Sequence, residues 1–471
     1  MDIMNVIHHR KIGMNKKKSS FISLYGRFIV CFVVIIAVAF YLLVFIQSFE
    51  TLHKDKPQES AIATTPLKIA KKELEYKATI GYAVSITSCS DDQALLDAAA
   101  VLKHSIHMNS IQTPMESSLN PTEAQSKYNY EMVAIIHPDA IDCIASDLDG
   151  LGYHIYKQDI PVPVKDIKGN YLREKVSQNG CCGEKEFIKL WAYGLLQYPI
   201  IVHLDLDTVV LKPMDPLFDA MLSSSSSSSI NVDTSESQQN DNNIARMWSE
   251  KPLPSDIQAY FTRDYNMANP SNRKKKIGIQ GGFLVVKPNS SRLDELKEII
   301  KTGDFRPGTG WGGLGFGPFY GAMTFQGIIP YFYDAIHPDT AVELNRCIYN
   351  NMADNPRVNP TVNDVVSGLC RDGRDDCEDC REINADEVVT AHFTLCQKPW
   401  LCMPHDQNML QHRLCRVLHR KWFQVRYDLE KRKKGKGTYD VDQFFGYCNK
   451  RGKQGYIPIN INYLKEMEML E

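Results

Sequence analysis

The chain has 471 residues, of which 43% are hydrophobic and 23% are charged, and its formal net charge at pH 7 is -2. This length and hydrophobic content allow one large hydrophobic core or two ordinary ones. The near-zero net charge removes any global electrostatic reason to expect a nucleic-acid partner.

The first informative segment is an uninterrupted apolar run of membrane-spanning length, from Phe28 to Ile46. The chain before it carries six cations, Arg10, Lys11, Lys16, Lys17, Lys18 and Arg27, whereas Glu50 and Asp55 follow it. The positive-inside rule therefore predicts a cytosolic tail, residues 1–27, and a lumenal remainder. No convincing cleavage site follows the run, which favours a retained signal anchor; a cleaved signal peptide is the alternative.

Residues 47–77 lack a consistent apolar period and are predicted to form a stem between the membrane and the folded part. Of the 13 cysteines only Cys31 lies in the apolar run, which leaves an even number compatible with disulfides in an oxidising lumen. Cys370, Cys377 and Cys380 lie close together with acidic residues between them. Zinc binding and disulfides are both open for these three, and the oxidising compartment favours disulfides.

Strand and helix patterns alternate from residue 78 onward. Strands are predicted at 79–87, 131–137 and 153–158, and helices from a capping box at Ser90 and Gln93 to about Met108 and over 139–149. Alternating elements of these lengths imply an α/β fold with a mostly parallel sheet flanked by helices.

A helix with an apolar stripe is predicted next, with Phe187, Leu190, Trp191 and Leu195 at helical spacing. Lys189 lies on the flank of that stripe, and Pro199 ends the helix. The apolar strand 200–204 follows at once and leads into Asp205 and Asp207. Ligands of open parallel sheets bind at the carboxyl ends of the strands, so Lys189 and the two carboxylates are expected in one crevice.

Asp205 and Asp207 form the candidate cation site. Strand side chains alternate between faces, so the two carboxylates are predicted to point to the same side. Magnesium and manganese prefer such oxygen ligands and take further ones from substrate phosphates. Two more Asp-X-Asp copies, at 147–149 and 440–442, follow no buried-type strand and are predicted to be solvated turn or helix-end carboxylates.

Three later segments complete the pattern. Residues 223–243 form a serine-rich polar tract, predicted to be a disordered surface insertion. A glycine-opened strand, 279–288, and a helix, 292–301, precede a loop with eight glycines between residues 303 and 321. No apolar strand leads into this loop, so it is not a dinucleotide-binding turn; a mobile active-site loop and an ordinary irregular loop are both open.

Four segments in this order and at these separations resemble glycosyltransferase family 8, the family of glycogenin, in its membrane-anchored branch. They are FIKLWAY with Lys189, HLDLDTVVLKPMDPLFD with Asp205 and Asp207, QGGFLVVKP from Gln280 to Pro288, and HFTLCQKPW with His392 and Lys398. The resemblance covers about residues 78–402 and leaves the apolar run, the serine-rich tract and the tail outside.

The resemblance implies a GT-A type, Rossmann-like fold, a UDP-sugar donor, manganese with magnesium as the alternative, and transfer with retention of anomeric configuration. It places the metal ligands at Asp205, Asp207 and His392 and further donor contacts at Lys398, Gln280, Gly281 and Gly282. The catalytic residues that it implies are Lys189, near the donor sugar, and Gln326. Histidine among the ligands favours manganese over magnesium.

Two positions depart from the family pattern. Phe325 stands where the family has the aspartate of Asp-Gln-Gly, and Leu395 stands where a glycine usually follows the histidine by three residues. The first change removes a carboxylate that could bind sugar hydroxyls, and the second adds a side chain near the expected diphosphate.

The sequence therefore predicts a metal-dependent glycosyltransferase, anchored in the Golgi membrane as a single-pass type II protein with a lumenal domain, and acting on a glycan or glycoprotein. The predicted segments are a tail (1–27), an anchor (28–46), a stem (47–77), the GT-A domain (78–402) and a helical extension (403–471). One alternative is a non-catalytic lumenal module that binds nucleotide or glycan. A nucleotide-sugar hydrolase or pyrophosphorylase-like enzyme is disfavoured, because no glycine- and lysine-rich nucleotidyl-transfer loop is found.

Overall fold

The computed structural model describes residues 77–89, 94–110, 126–223, 253–268, 276–357, 370–372, 377–402, 413–434, 448 and 455–460. All of them belong to one compact unit, Leu74–Glu471. The predicted tail and anchor, the stem before residue 77 and the serine-rich tract beyond residue 223 lie outside these residues. No helix within the described ranges is long and apolar enough to cross a membrane.

The described chain contains eleven strands. They are β1 (Thr79–Ile86), β2 (Asn129–Ile136), β3 (Tyr153–Lys157), β4 (Ile201–Leu204), β5 (Thr208–Val210), β6 (Ala259–Arg263), β7 (Ile279–Val286), β8 (Phe305–Arg306), β9 (Gly310–Trp311), β10 (Ala341–Glu343) and β11 (Thr390–His392). Seven form the central sheet in the order β10-β6-β7-β4-β1-β2-β3, and β5–β11 and β8–β9 form two small antiparallel pairs.

Most neighbours in the central sheet are parallel. β1 pairs in parallel with β2 and β4, β2 with β3, and β6 with β10, whereas β7 runs antiparallel to β4 and β6. The prediction of an α/β fold with a mostly parallel sheet is confirmed.

Eight α-helices accompany the strands in the described ranges. They are α1 (Ala94–Met108), α2 (Pro138–Gly150), α3 (Asn170–Lys175), α4 (Asp215–Ser223), α5 (Ser290–Thr302), α6 (Phe325–Tyr331), α7 (Arg346–Tyr349) and α8 (Arg413–Lys434). Helix α5 shows local control of both ends, because the Asn289 side chain accepts a hydrogen bond from the Arg292 N–H and Gly303 takes a left-handed φ of 67°.

The helix predicted before Pro199 differs from the expectation in type. Residues Gly183–Gly194 form a 3₁₀-helix of twelve residues. Side chains three residues apart eclipse one another in a 3₁₀-helix. Glu186 is thereby placed over Lys189, with 3.2 Å between Oε2 and Nζ. This tighter winding sets the position of the lysine next to the sheet.

The core lies on both faces of the sheet. Alternation along β4 sends Val202 and Leu204 into one apolar layer and Ile201 into the other. The first layer also contains side chains of α1, α4 and α8, and the second contains those of the 3₁₀-helix, α5 and α6. Two covered faces explain why the strand residues are almost all apolar.

Helix α8 packs on the first layer through buried residues that include Leu418 and Trp422, the latter with its ring centroid 5.9 Å from that of Trp400. Five disulfides fix the loops: Cys89–Cys143, Cys347–Cys380, Cys370–Cys377, Cys396–Cys415 and Cys402–Cys448. The disulfide interpretation of Cys370, Cys377 and Cys380 is confirmed.

The glycine-rich loop folds around Trp311, which is buried and donates its indole N–H to the Ala322 carbonyl over 2.8 Å. The short strands β8 and β9 form a hairpin at its start. Gly310 takes a φ of 74°, and a Cβ there would lie 2.0 Å from the Phe316 carbonyl oxygen. Glycine is required at this close approach because any other residue would collide with the backbone.

Candidate metal and donor site

The candidate site lies where the strand order reverses. β1 has β2 on one side and β4 on the other, and both β1 and β4 run in the same direction. Open α/β sheets bind ligands in the crevice that opens at the carboxyl ends of such strands. The residues that follow β4 in the chain, Asp205 to Asp207, lie at this edge.

Both carboxylates belong to the turn between β4 and β5 and not to a strand. The expectation that strand alternation directs them to the same side is therefore wrong. The backbone on either side holds them instead. The Asp205 N–H donates to the Gly282 carbonyl on β7 over 3.2 Å, and the Phe393 N–H donates to the Asp207 carbonyl over 2.9 Å. The turn is therefore fixed between the central sheet and the β5–β11 pair.

His392 ends β11 and reaches the same point. Its register partner on β5 is Thr208, the residue after Asp207. Its Nε2 lies 3.3 Å from Asp207 Oδ1 and 3.9 Å from Asp205 Oδ2. Ligand atoms of all three side chains lie within 4.8 Å of one another. The structure thus brings together the three residues that the resemblance assigns to the metal.

The space among these side chains depends on Gly282. A Cβ at this position would lie 2.4 Å from His392 Cε1 and 2.8 Å from Asp205 Oδ2. Glycine keeps the cradle open, and two carboxylates with one imidazole are a donor set that manganese accepts more readily than magnesium. The residues present therefore fit a manganese ion.

Lys398 contacts the carboxylate of Asp207, although 191 residues separate them. Burial alone would raise the pKa of Asp207, but the neighbouring His392 and Lys398 hold it well below its usual range. Asp207 is therefore ionised at physiological pH. The Lys398 side chain is 41% exposed, so its ammonium lies at the solvent side of the site.

Lys189 lies on the inner side. Its Nζ is 3.0 Å from Asp205 Oδ1 and 3.0 Å from the Gly281 carbonyl, in addition to its contact with Glu186. Burial alone would lower its pKa, but Asp205 and Glu186 outweigh burial and raise it. Lys189 is therefore a fixed, buried cation beside the carboxylates.

The two predicted glutamines take different positions. The Gln280 side-chain oxygen accepts the Gly282 N–H over 2.5 Å, so it holds the backbone of the cradle. Gln326 directs its amide nitrogen towards Met267 Sδ, 3.2 Å away. A Cβ on Gly281 would lie 3.3 Å from Gln326 Cγ and 3.4 Å from Lys189 Nζ, so Gln326 and the lysine border the same space beside this glycine.

Phe325 is fully buried, and Lys189 Nζ lies 5.8 Å from the centre of its ring. A cation–π contact thus stands where the family pattern has a carboxylate. Leu395 is 53% exposed, so its side chain is not packed into the site.

Two residues at the site were not predicted from the sequence. His203 is fully buried with Nε2 2.7 Å from Ser85 Oγ, and burial together with Lys189 lowers its pKa to about 3. It is therefore a neutral residue behind the carboxylates. Glu186 was also missed, although its position three residues before Lys189 was a visible signal.

The other Asp-X-Asp copies agree with the sequence interpretation where the structure describes them. Asp147 and Asp149 lie in the last turn of α2. Asp440 and Asp442 lie outside the described residues.

No protein-family model matches the sequence, and no curated protein matches it. Solved structures similar to the chain include mouse xyloside xylosyltransferase 1, at 14% identity over 57% of this chain and 86% of that chain, with a TM-score of 0.32. The bifunctional glycosyltransferase WbbM is 10% identical over 74% of this chain and 52% of that chain, with a TM-score of 0.37. Galactosyltransferase LgtC, in complex with donor and acceptor sugar analogs, is 11% identical over 74% of this chain and 94% of that chain, with a TM-score of 0.31.

All three proteins are glycosyltransferases. Since each TM-score is below 0.5, the function of this chain has to be inferred from its own residues.

Proposed function

We propose that the protein is a retaining glycosyltransferase that moves a sugar from a UDP-sugar to a glycan or glycoprotein, anchored in the Golgi membrane through residues 28–46. The observation that carries this proposal is the convergence of Asp205, Asp207 and His392 with two lysines at the carboxyl edge of a parallel sheet. The four-segment resemblance supports the donor class and the retention, and the apolar run from Phe28 to Ile46 supports the anchored form.

The chemistry of the leaving group explains this set of residues. A departing nucleoside diphosphate accumulates negative charge, so fixed cations beside it lower the barrier without a proton transfer. Asp205, Asp207 and His392 would hold a manganese ion, which when bound supplies such a charge. Both carboxylates come from one turn, so the protein contributes few ligands and leaves room for phosphate oxygens.

The two lysines would act at different places. Lys398 is partly exposed and contacts Asp207, so it can turn from that carboxylate to a diphosphate oxygen when the donor binds. Lys189 is held by Glu186, Asp205 and the Gly281 carbonyl, so it cannot follow the leaving group. It orients Asp205 and provides a fixed positive charge on the donor-sugar side.

The test is a donor screen with the purified full chain. In the presence of manganese it should release UDP from one member of a UDP-sugar panel when an acceptor glycan is added. Nuclear magnetic resonance of the product should show the anomeric configuration of the donor. Release of UDP with inversion would contradict the retaining mechanism.

A matched pair of variants tests the site. Asp205→Ala with Asp207→Ala should lower UDP release by about 10³-fold or more, because both carboxylate ligands are lost. Asp147→Ala with Asp149→Ala changes the same motif at the end of α2 and should leave release unchanged. Equal release by the two double variants would show that the turn after β4 is not the metal site.

The buried Phe325 favours one second candidate, a nucleotide-binding module without turnover. A carboxylate that could bind sugar hydroxyls is absent at this position, and an aromatic ring covers Lys189 instead. Calorimetry with UDP and manganese separates the two: heat of binding with no turnover on any donor and acceptor would support the module.

A further inference from the structure

Two adjacent cysteines lie beside the candidate site and form no disulfide. Among the twelve described cysteines, ten are in disulfides, and Cys181 and Cys182 are free and exposed. Their Sγ atoms are 2.9 Å apart. A chain with five disulfides is typical of an oxidising compartment, so this free pair needs a physical reason.

The reason is the short distance along the chain. Consecutive Cα atoms are about 3.8 Å apart across a trans peptide, which is below the usual Cα separation of a disulfide. A bond between neighbours is therefore strained, and strained or exposed disulfides are the easily reduced ones. The pair is flanked by Gly180 and Gly183, with φ of 70° and 60°. A Cβ on Gly183 would lie 2.6 Å from the Ser177 carbonyl oxygen.

A chain of contacts joins this pair to the carboxylates of the site. Cys181 Sγ donates to Glu186 Oε1 over 2.8 Å, and Glu186 Oε2 lies 3.2 Å from Lys189 Nζ. Lys189 in turn contacts Asp205 at 3.0 Å. Cys182 hydrogen-bonds Thr87, the residue directly after β1. The thiols thus lie at the same carboxyl edge as the site, two ion pairs away from a metal ligand.

We propose that Cys181 and Cys182 are a redox-active dithiol that forms a reversible vicinal disulfide and thereby tunes the Glu186–Lys189–Asp205 chain. The oxidant is a small-molecule disulfide such as oxidised glutathione. The Cys182 thiolate attacks one sulfur of the oxidant and releases one thiolate. Cys181 then attacks the Cys182 sulfur of this mixed disulfide and releases the second. Two electrons pass to the oxidant, and the two thiol protons pass to its leaving thiolates.

The order of attack follows from the environment of each sulfur. The contact with Cys182, partial burial and Glu186 raise the pKa of Cys181, whereas the contact with Cys181 and the hydrogen bond to Thr87 lower the pKa of Cys182. The thiolate is the nucleophile in disulfide exchange, so Cys182 attacks first.

Oxidation changes what Glu186 can bind. A disulfide has no S–H, so Cys181 would no longer donate to Glu186 Oε1. Without this donor, the buried carboxylate of Glu186 interacts more strongly with Lys189, which weakens the contact of Lys189 with Asp205. The expected effect on sugar transfer rests on the proposed function. The oxidised form should release UDP on the order of tenfold more slowly than the reduced form.

The test equilibrates the full chain in mixtures of oxidised and reduced glutathione, alkylates it with iodoacetamide and cuts it with trypsin. The peptide 176–185 contains both cysteines and no other. In reducing mixtures both cysteines of this peptide should be alkylated. In oxidising mixtures the peptide should carry no alkyl group and have a mass two hydrogens below that of the dithiol form, and the change should be reversible. A peptide that stays doubly alkylated in every mixture overturns the inference, as does a disulfide between two chains. Protection of both thiols by added zinc alone would also overturn it, since it would show a metal site.

Variants separate the redox step from its effect. Cys181→Ala removes the donor to Glu186 and should slow UDP release under reducing conditions, as oxidation does in the unmodified chain. Cys182→Ala keeps the hydrogen bond from Cys181 to Glu186 and cannot form the vicinal bond, so its UDP release should be the same in reducing and oxidising mixtures. Equal rates for Cys181→Ala and the unmodified chain under reducing conditions would refute the link to Glu186. If the peptide is oxidised reversibly but the chain shows no turnover on any donor, the proposed function is refuted. The assignment of Cys181 and Cys182 as a redox-active dithiol would still hold.

Discussion

Two clusters of charged side chains in the molecule differ in their access to solvent. The site cluster consists of Glu186, Lys189, Asp205, Asp207, His392 and Lys398. The helix cluster consists of Asp97 on α1, Arg426 and Glu430 on α8, and Tyr456. Asp97 and Arg426 are fully buried, whereas the side chains of Asp205 and Lys398 are 32% and 41% exposed.

The carboxylates respond in opposite ways. In the helix cluster, burial raises the pKa of Asp97 to about 6, even though Arg426, the Tyr456 hydroxyl and the Ile459 N–H favour its charged form. In the site cluster, the contacts of His392 and Lys398 hold the pKa of Asp207 low. A closed cluster costs desolvation energy and joins two helices, while an open cluster keeps charged ligands ready for a partner. Of the two clusters, the site cluster is the one that a ligand can reach from solvent.

The largest expected effect is a loss of folding stability when the helix cluster loses its cation. Arg426 lies 3.3 Å from Glu430 Oε1 and 4.0 Å from Asp97 Oδ2, so Arg426→Met leaves buried carboxylates without their cation. We expect a loss of about 3–5 kcal/mol in the free energy of unfolding, measured by urea titration. Arg420→Met, at an exposed position on the same helix, is the control. A loss of turnover at unchanged stability would show that the clusters are not functionally separate.

The second prediction concerns pH and a residue between the two clusters. His419 on α8 is buried, with its ring centroid 5.3 Å from that of Phe393, and burial lowers its pKa from 6.5 to about 4. The neutral form is therefore favoured by folding, so the stability that His419 contributes is present above pH 6.5 and is lost as the pH falls towards about 4. The full difference is about 3 kcal/mol.

The measurement is the difference in unfolding free energy between the unmodified chain and His419→Gln at pH 7 and at low pH. The comparison of variants is needed because Asp97, with its raised pKa, favours the folded state as the pH falls from about 6. The variant should lose less stability on acidification than the unmodified chain. Equal losses in both chains would contradict the assignment to His419.

The smallest effect concerns the solvent side of the site cluster. Lys398→Met should raise the KM for the UDP-sugar by about tenfold to a hundredfold, equivalent to about 1.4–2.7 kcal/mol, because a cation that would contact the diphosphate is removed. Steady-state UDP release measures it. Lys421→Met removes a lysine that pairs with Asp386 on the surface and serves as the control. A fall in kcat with KM unchanged would show that Lys398 acts only in the transition state.

The elements and one half of the site could be predicted from the sequence because their signals are local. Alternating and helical patterns of apolar residues predicted the ends of β1, α2, β7 and α5 to within a few residues. Lys189, Asp205 and Asp207 lie within 19 consecutive residues, so a strand after a helix was enough to place them together. His392 and Lys398 were connected to them only by the family resemblance, since no local pattern relates residues so far apart.

Sequence alone thus determined an α/β chain with a carboxylate pair at the end of a buried strand, because alternation and apolar runs act over a few residues. Tertiary structure decided the rest. The β5–β11 pairing brings His392 to the carboxylates, and Gly282 leaves the space between them. The 3₁₀ winding stacks Glu186 on Lys189 and connects Cys181 to the site. The β5–β11 pairing and the position of Gly282 join segments that are distant in the chain, which no local propensity encodes. The contacts of Glu186 are local, but an apolar stripe does not distinguish a 3₁₀-helix from an α-helix.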